Sequence, residues 1–130
     1  MKIKILLSLA FIFGSLIFSQ VDYTTQIQPI FNSNCTGCHG SSGGLNLSSY
    51  DNLMSGTSNH GPVITPLDAD NSILVQKIMG TADFGSRMPA NNQPYFDTHE
   101  EELQLIKDWI NEGANPDPPA IFNLILKDVR

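Results

Sequence analysis

The stretch Cys35-Thr36-Gly37-Cys38-His39 decides how the rest of this 130-residue chain is organised. Two thiols three positions apart can each add to a vinyl group of one haem, and the imidazole that follows then lies against the porphyrin face, within reach of the iron. The two small residues between the thiols allow both sulfur atoms to reach the same edge of the macrocycle. The stretch therefore predicts thioether bonds at Cys35 and Cys38, with His39 as the proximal iron ligand.

The same five residues allow three other interpretations, namely a redox-active dithiol, part of a zinc site and a structural disulfide. A zinc site needs a fourth ligand, and the remaining candidates, His60 and His99, lie in no second ligand cluster of the sequence. A thioredoxin-like module would show a βαβ pattern around the cysteines, and the sequence shows none. We therefore favour haem attachment.

The N-terminus has the pattern of a secretory signal peptide. Lys2 and Lys4 precede a largely apolar run over residues 5–18, which has the length of a signal-peptide core and is short for a membrane helix. We predict a signal peptide over residues 1–19, cleavage near Gln20, and a periplasmic or extracellular protein. An uncleaved N-terminal anchor is the alternative, and it is the only membrane contact that we expect.

The charge balance of the chain is acidic. The formal net charge of −6 becomes −8 once Lys2 and Lys4 are removed with the signal peptide. Such a surface repels nucleic acid and anionic lipid, and it suits a redox protein partner with a basic docking patch. Solubility alone would also explain the charge.

The first helix is expected over residues 21–34. Asp22 is a plausible N-cap, and Pro29 inside the segment should either kink the helix or begin a second turn as its first residue. Apolar side chains recur there at helical spacing and predict one buried face, formed by Tyr23, Ile27, Ile30 and Phe31.

Two more short helices are expected within residues 49–79. One runs over residues 49–54 with Ser48 as its cap, and the other runs from residue 71 or 72 to Met79 and stops at Gly80. Met79 is expected to be a core residue of the latter helix.

The last helix has the clearest signals. Thr98 and Glu101 form the pattern of a capping box, and Gly113 lies where the helix should stop. Apolar residues at the helical period predict its buried face, with Leu103, Ile106, Trp109 and Ile110.

The loop between the third and last helices contains Arg87-Met88-Pro89. Because Met88 precedes proline, its backbone is biased toward an extended conformation, and its thioether can project from a loop. Arg87 could neutralise a haem propionate or be an ordinary surface charge. His60, in an earlier loop, is expected to be a solvated residue and not an iron ligand.

In this order, the C-T-G-C-H motif, R-M-P at residues 87–89 and the ending L-Q-L-I-K-D-W-I-N-E-G-A at residues 103–114 resemble the class I monohaem c-type cytochromes and bacterial cytochrome c domains. The resemblance covers residues 23–114. It implies a mainly α fold of about four short helices around a covalent haem, with long loops. It also implies thioethers at Cys35 and Cys38, proximal ligation by His39 and distal ligation by Met88.

The functional expectation follows from filled axial positions. Histidine and methionine leave no open site for a substrate, so the chain is expected to carry single electrons between redox partners and not to act as an enzyme. The alternative is a haem-based ligand-binding or sensing module, or an accessory module of a larger redox enzyme. A peroxidase is disfavoured because such cytochromes commonly carry two haems. The expected domain covers residues 20–114, followed by a tail over residues 115–130.

Overall fold

The computed structural model describes residues 20–118. Within that range the chain is mainly α-helical, which confirms the predicted fold class. The helices are α1 (Gln28–Asn34), α2 (Tyr50–Met54), α3 (Ile73–Met79), α4 (Tyr95–Thr98) and α5 (Glu100–Asn111), with a π-helical turn over Tyr23–Ile27 and a 3-10 turn over Ser42–Gly44. A short antiparallel hairpin pairs β1 (Thr57–Ser58) with β2 (Gly61–Pro62).

Two predictions fall wholly or partly outside the described residues. They are the signal peptide over residues 1–19 and the tail beyond residue 118. Among the helices of residues 20–118, none has both the length and the apolar character needed to cross a membrane.

The predicted first helix is built in two parts. The Asp22 carboxylate caps the π-helical turn by accepting a hydrogen bond from the backbone N–H of Thr25 at 2.8 Å. Pro29 lies in the first turn of α1, where a missing N–H costs no helical hydrogen bond. Pro29 therefore begins a new helical segment, which is the second of the two outcomes expected for it.

The predicted capping box of the last helix is wrong. Thr98 is the last residue of α4, a helix that the sequence analysis missed, and its hydroxyl donates to the Tyr95 carbonyl at 3.0 Å. His99 precedes α5 instead, without a side-chain cap. The cap of α2 is also shifted by one residue, because Ser49 and not Ser48 accepts the backbone N–H of Asn52.

The core forms where the π-helical turn packs against α5. Tyr23 and Trp109 lie with ring centroids 5.1 Å apart, and both are almost fully buried. The indole N–H of Trp109 donates to the Asn115 carbonyl at 2.7 Å, which satisfies a polar group that burial would otherwise penalise. The expected inner face of α5 is buried at Ile106, Trp109 and Ile110, while Leu103 is half-buried.

Helix α3 ends as predicted, at a left-handed Gly80 with φ 74°. Its buried side consists of Leu74, Val75 and Ile78. Met79, in contrast, has 43 % of its surface exposed, so the expectation that it is a core residue is wrong. The reason is position, because Met79 is the last residue of the helix and follows the buried Ile78 on the adjacent, outward-facing side.

Candidate haem site

An apolar cavity of about 140 Å³ lies between α3, the segment after α1 and the loop that carries Met88. Three of the four predicted haem-binding residues, Cys35, His39 and Met88, contribute to its wall. Much of the remaining wall is hydrophobic, including Leu47, Val63, Leu74, Ile78 and Phe96. The structure thus brings together predicted haem-binding residues that lie 53 positions apart in the sequence, Cys35 and Met88.

The motif follows α1 as a continuing series of turns. The backbone N–H of Cys35 donates to the Phe31 carbonyl at 2.8 Å, and that of His39 donates to the Cys35 carbonyl at 2.8 Å. Cys35 is half-buried in the wall, whereas Cys38 is exposed and free and is not a wall residue. One thiol therefore lies against the apolar cavity and the other lies at the surface.

His39 is oriented by a backbone carbonyl. Its Nδ1 lies 3.1 Å from the carbonyl oxygen of Ser42. Because a carbonyl only accepts hydrogen bonds, Nδ1 carries the proton in the neutral ring and Nε2 keeps its lone pair. Histidine ligands of metals are commonly fixed in this way, with the second ring nitrogen free to bind.

The environment of Cys35 keeps its thiol protonated. Burial, and secondarily the negative charge of Glu102, raise the pKa of this thiol to about 11. A reactive dithiol needs an attacking thiolate near neutral pH. In residues 20–118, no cluster of three or more His, Cys, Asp or Glu side chains could hold a metal ion. The raised pKa of Cys35 therefore disfavours the dithiol interpretation.

Met88 lies in a loop that is fastened to α3. Its backbone N–H donates to the Lys77 carbonyl at 2.9 Å, and the neighbouring Arg87 donates through Nε to the Ile78 carbonyl at 2.7 Å. The Arg87 guanidinium also forms a two-pronged ion pair with Asp97 on α4. Arg87 is therefore paired with a protein carboxylate and does not line the cavity, and its bonds link the Met88 loop to α3 and α4.

The other candidate ligands lie elsewhere. His60 is exposed and stacks on Phe84, with ring centroids 3.6 Å apart, and only Phe84 is part of the cavity wall. Met54 packs half-buried against the hydrophobic core, and neither Met54 nor Met79 lines the cavity. Met88 is thus the methionine that the fold places with His39.

Most wall residues were not functional candidates from the sequence, and Lys77 and Phe84 are two of them. A signal for Lys77 was present, because it follows Ile73 by four positions and Leu74 by three, and both of these line the cavity. Residues at these spacings share a helix face.

Residues 35–91 match the family model of Planctomycete cytochrome C. The matched stretch begins at the first cysteine of the motif and continues just past Met88. The match is consistent with a c-type cytochrome domain and confirms the resemblance seen in the sequence. Comparisons with curated proteins and with solved structures found no match.

The cytochrome c family implies covalently bound haem c, and the donor set of the cavity fits that group. A neutral imidazole and a thioether are ordinary axial ligands of haem iron. The apolar wall suits a large hydrophobic macrocycle better than a hydrated ion. The individual ligand roles of His39 and Met88 stay predictions.

Proposed function

We propose that this protein is an exported monohaem cytochrome c that transfers single electrons between redox partners. The observation that carries the proposal is one apolar cavity whose wall includes His39, Met88 and Cys35. Histidine and methionine together are the axial pair of electron-transfer cytochromes, and they leave no position open for a substrate.

The residues of this chain would divide the work as follows. Cys35 and Cys38 hold the haem through two thioethers, and His39 is fixed in its binding tautomer by the Ser42 carbonyl. Met88 is held in place by the attachment of its loop to α3. When bound, the haem iron supplies a one-electron couple between its ferric and ferrous states.

The cavity would also influence the reduction potential of the haem iron. Apolar side chains keep water from the iron, and water exclusion disfavours the more highly charged ferric state. A thioether ligand favours the ferrous state as well. Both effects raise the reduction potential, which suits a carrier that accepts electrons from one partner and passes them to another.

Export and acidity would define the setting. Covalent haem attachment of this kind takes place outside the bacterial cytoplasm, as the resemblance to cytochromes c implies, and the N-terminal pattern supplies the export signal. The acidic net charge, −6 for the full chain and −8 without Lys2 and Lys4, favours a partner with a basic docking patch over nucleic acid or anionic lipid.

The decisive experiment is production of the full chain in a host with haem-attachment machinery. We expect the exported protein to keep its haem after extraction with acid and organic solvent, and its mass to equal the chain from near Gln20 plus one haem. The variant in which Cys35 and Cys38 are both replaced by alanine should hold no haem tightly. Complete extraction of the haem from the wild type would refute the proposal, and an intact Met1 on the exported protein would refute cleavage.

A ligand-binding or sensing function differs from electron transfer in what it predicts for the binding of carbon monoxide. If the ferrous wild-type protein binds carbon monoxide readily, the sixth position is open or easily vacated. Electron shuttling then gives way to ligand binding.

A further inference from the structure

The ammonium group of Lys77 has an unusual position for so acidic a chain. Lys77 is half-buried in the wall of the apolar cavity, and its Nζ donates to the Phe84 carbonyl at 2.9 Å. The same Nζ lies 5.1 Å from the centroid of the Phe84 ring. An ammonium group has three donors, and the Phe84 carbonyl is its one hydrogen-bond acceptor within residues 20–118.

Lys77 differs in this respect from the other two cations of the described chain. Arg87 pairs with Asp97, and Lys107 pairs with Asp70 at 2.8 Å. Lys77 forms no ion pair within residues 20–118, although acidic side chains outnumber basic ones by 13 to 7 in the whole chain. A cation beside an apolar wall loses hydration, and an anion at the same place would offset that loss.

We infer that Lys77 binds a propionate carboxylate of the haem and so positions it in the cavity. The inference rests on the proposed haem function. Haem has an apolar face and carboxylate ends, which matches a hydrophobic wall with one cation on it. The sequence analysis considered Arg87 for this role, but Arg87 is already paired with Asp97 and does not line the cavity.

The surroundings of Lys77 hold its ammonium group where it is. Gly85 leaves space for Nζ, since a Cβ at that position would lie only 3.0 Å from it. The carbonyl of Lys77 accepts the N–H of Met88, so the same residue would anchor both the propionate and the Met88 loop. Other charged or titratable groups near this corner are the exposed His60, stacked on Phe84, and the exposed Asp83.

The test compares three variants of the mature haem protein. Lys77→Gln removes the charge, Lys77→Arg keeps it, and Lys107→Gln removes a cation whose partner Asp70 lies on the surface. We expect Lys77→Gln to shift the propionate bending band of the resonance Raman spectrum to lower wavenumber and to lower the reduction potential. Lys77→Arg should restore both toward wild type, and Lys107→Gln should shift neither.

An unchanged propionate band in Lys77→Gln overturns the inference. If that variant does not mature, the ferrous wild-type protein still decides the matter by nuclear magnetic resonance. Nuclear Overhauser contacts between the Lys77 side-chain methylenes and a propionate methylene are expected there, and their absence would also overturn it. If haem is covalently bound but neither signature is seen, only the role of Lys77 is contradicted. If no haem is covalently bound, the proposed function itself is contradicted.

Discussion

At the scale of single residues, the assignment of the sixth iron ligand is the sharpest prediction. Replacing Met88 by alanine should open the iron to carbon monoxide and cyanide, because Met88 is the methionine that shares the cavity wall with His39. Loss of the thioether should also lower the reduction potential by on the order of 0.1 V, a fraction of the roughly 0.8 V range that axial ligands set. Ligand-binding spectra and a redox titration measure both effects.

His60→Ala is the matched control for Met88→Ala. His60 is an exposed loop residue stacked on Phe84, so its removal should change neither ligand binding nor the spectrum of the iron. If His60→Ala opens the iron while Met88→Ala does not, the protein is a bis-histidine cytochrome and the sixth ligand is misassigned.

At the scale of structural elements, the ion pair between Arg87 and Asp97 joins the Met88 loop to α4. Hydrogen bonds from the Arg87 guanidinium lower the pKa of the Asp97 carboxyl. Because the folded-state pKa is depressed, the stabilisation is present above the ordinary aspartate pKa of about 4 and is lost as the pH falls through the lowered value. We expect Asp97→Asn to lower the melting temperature of the haem protein at neutral pH but not in strong acid.

Asp83→Asn is the control for this pair, since Asp83 is an exposed loop carboxylate that forms no ion pair within residues 20–118. Its melting temperature should follow the wild type at every pH. Equal melting temperatures of Asp97→Asn and wild type at neutral pH would show that the pair does not fasten the loop. A modest difference is expected, because exposed ion pairs contribute little.

The comparison of elements also shows what sequence patterns could predict. The end of α3 at Gly80 depends on local chemistry and was predicted, and the new helical segment at Pro29 was one of the two outcomes expected there. Helix α4 is only four residues long, too short to show a helical period, and its presence displaced the expected cap at Thr98. The pairing of Arg87 with Asp97 depends on a tertiary contact between a loop and a helix, which no local pattern encodes. The place of Lys77 in the cavity wall, in contrast, is consistent with its helical spacing after Ile73 and Leu74.

At the scale of the whole molecule, net charge should govern how the protein meets its partner. An acidic carrier is steered toward a basic redox protein, and salt screens that attraction as the Debye length falls from about 30 Å at 0.01 M to about 8 Å at 0.15 M. The bimolecular rate of electron transfer to a basic partner should therefore fall by on the order of tenfold over this range.

Two controls separate steering from other effects of salt on this rate. With an acidic redox protein of similar potential the rate should rise with salt, because repulsion is screened, and with an uncharged small reductant it should stay constant. Stopped-flow measurement of haem oxidation gives all three rates. The sign of the salt effect is the informative quantity, since an acidic surface that serves solubility alone need not be arranged around the haem edge. If the rate of electron transfer to the basic partner does not depend on salt, the acidic surface serves solubility and does not steer the partner. Docking would then have to rely on uncharged contacts at the mouth of the cavity.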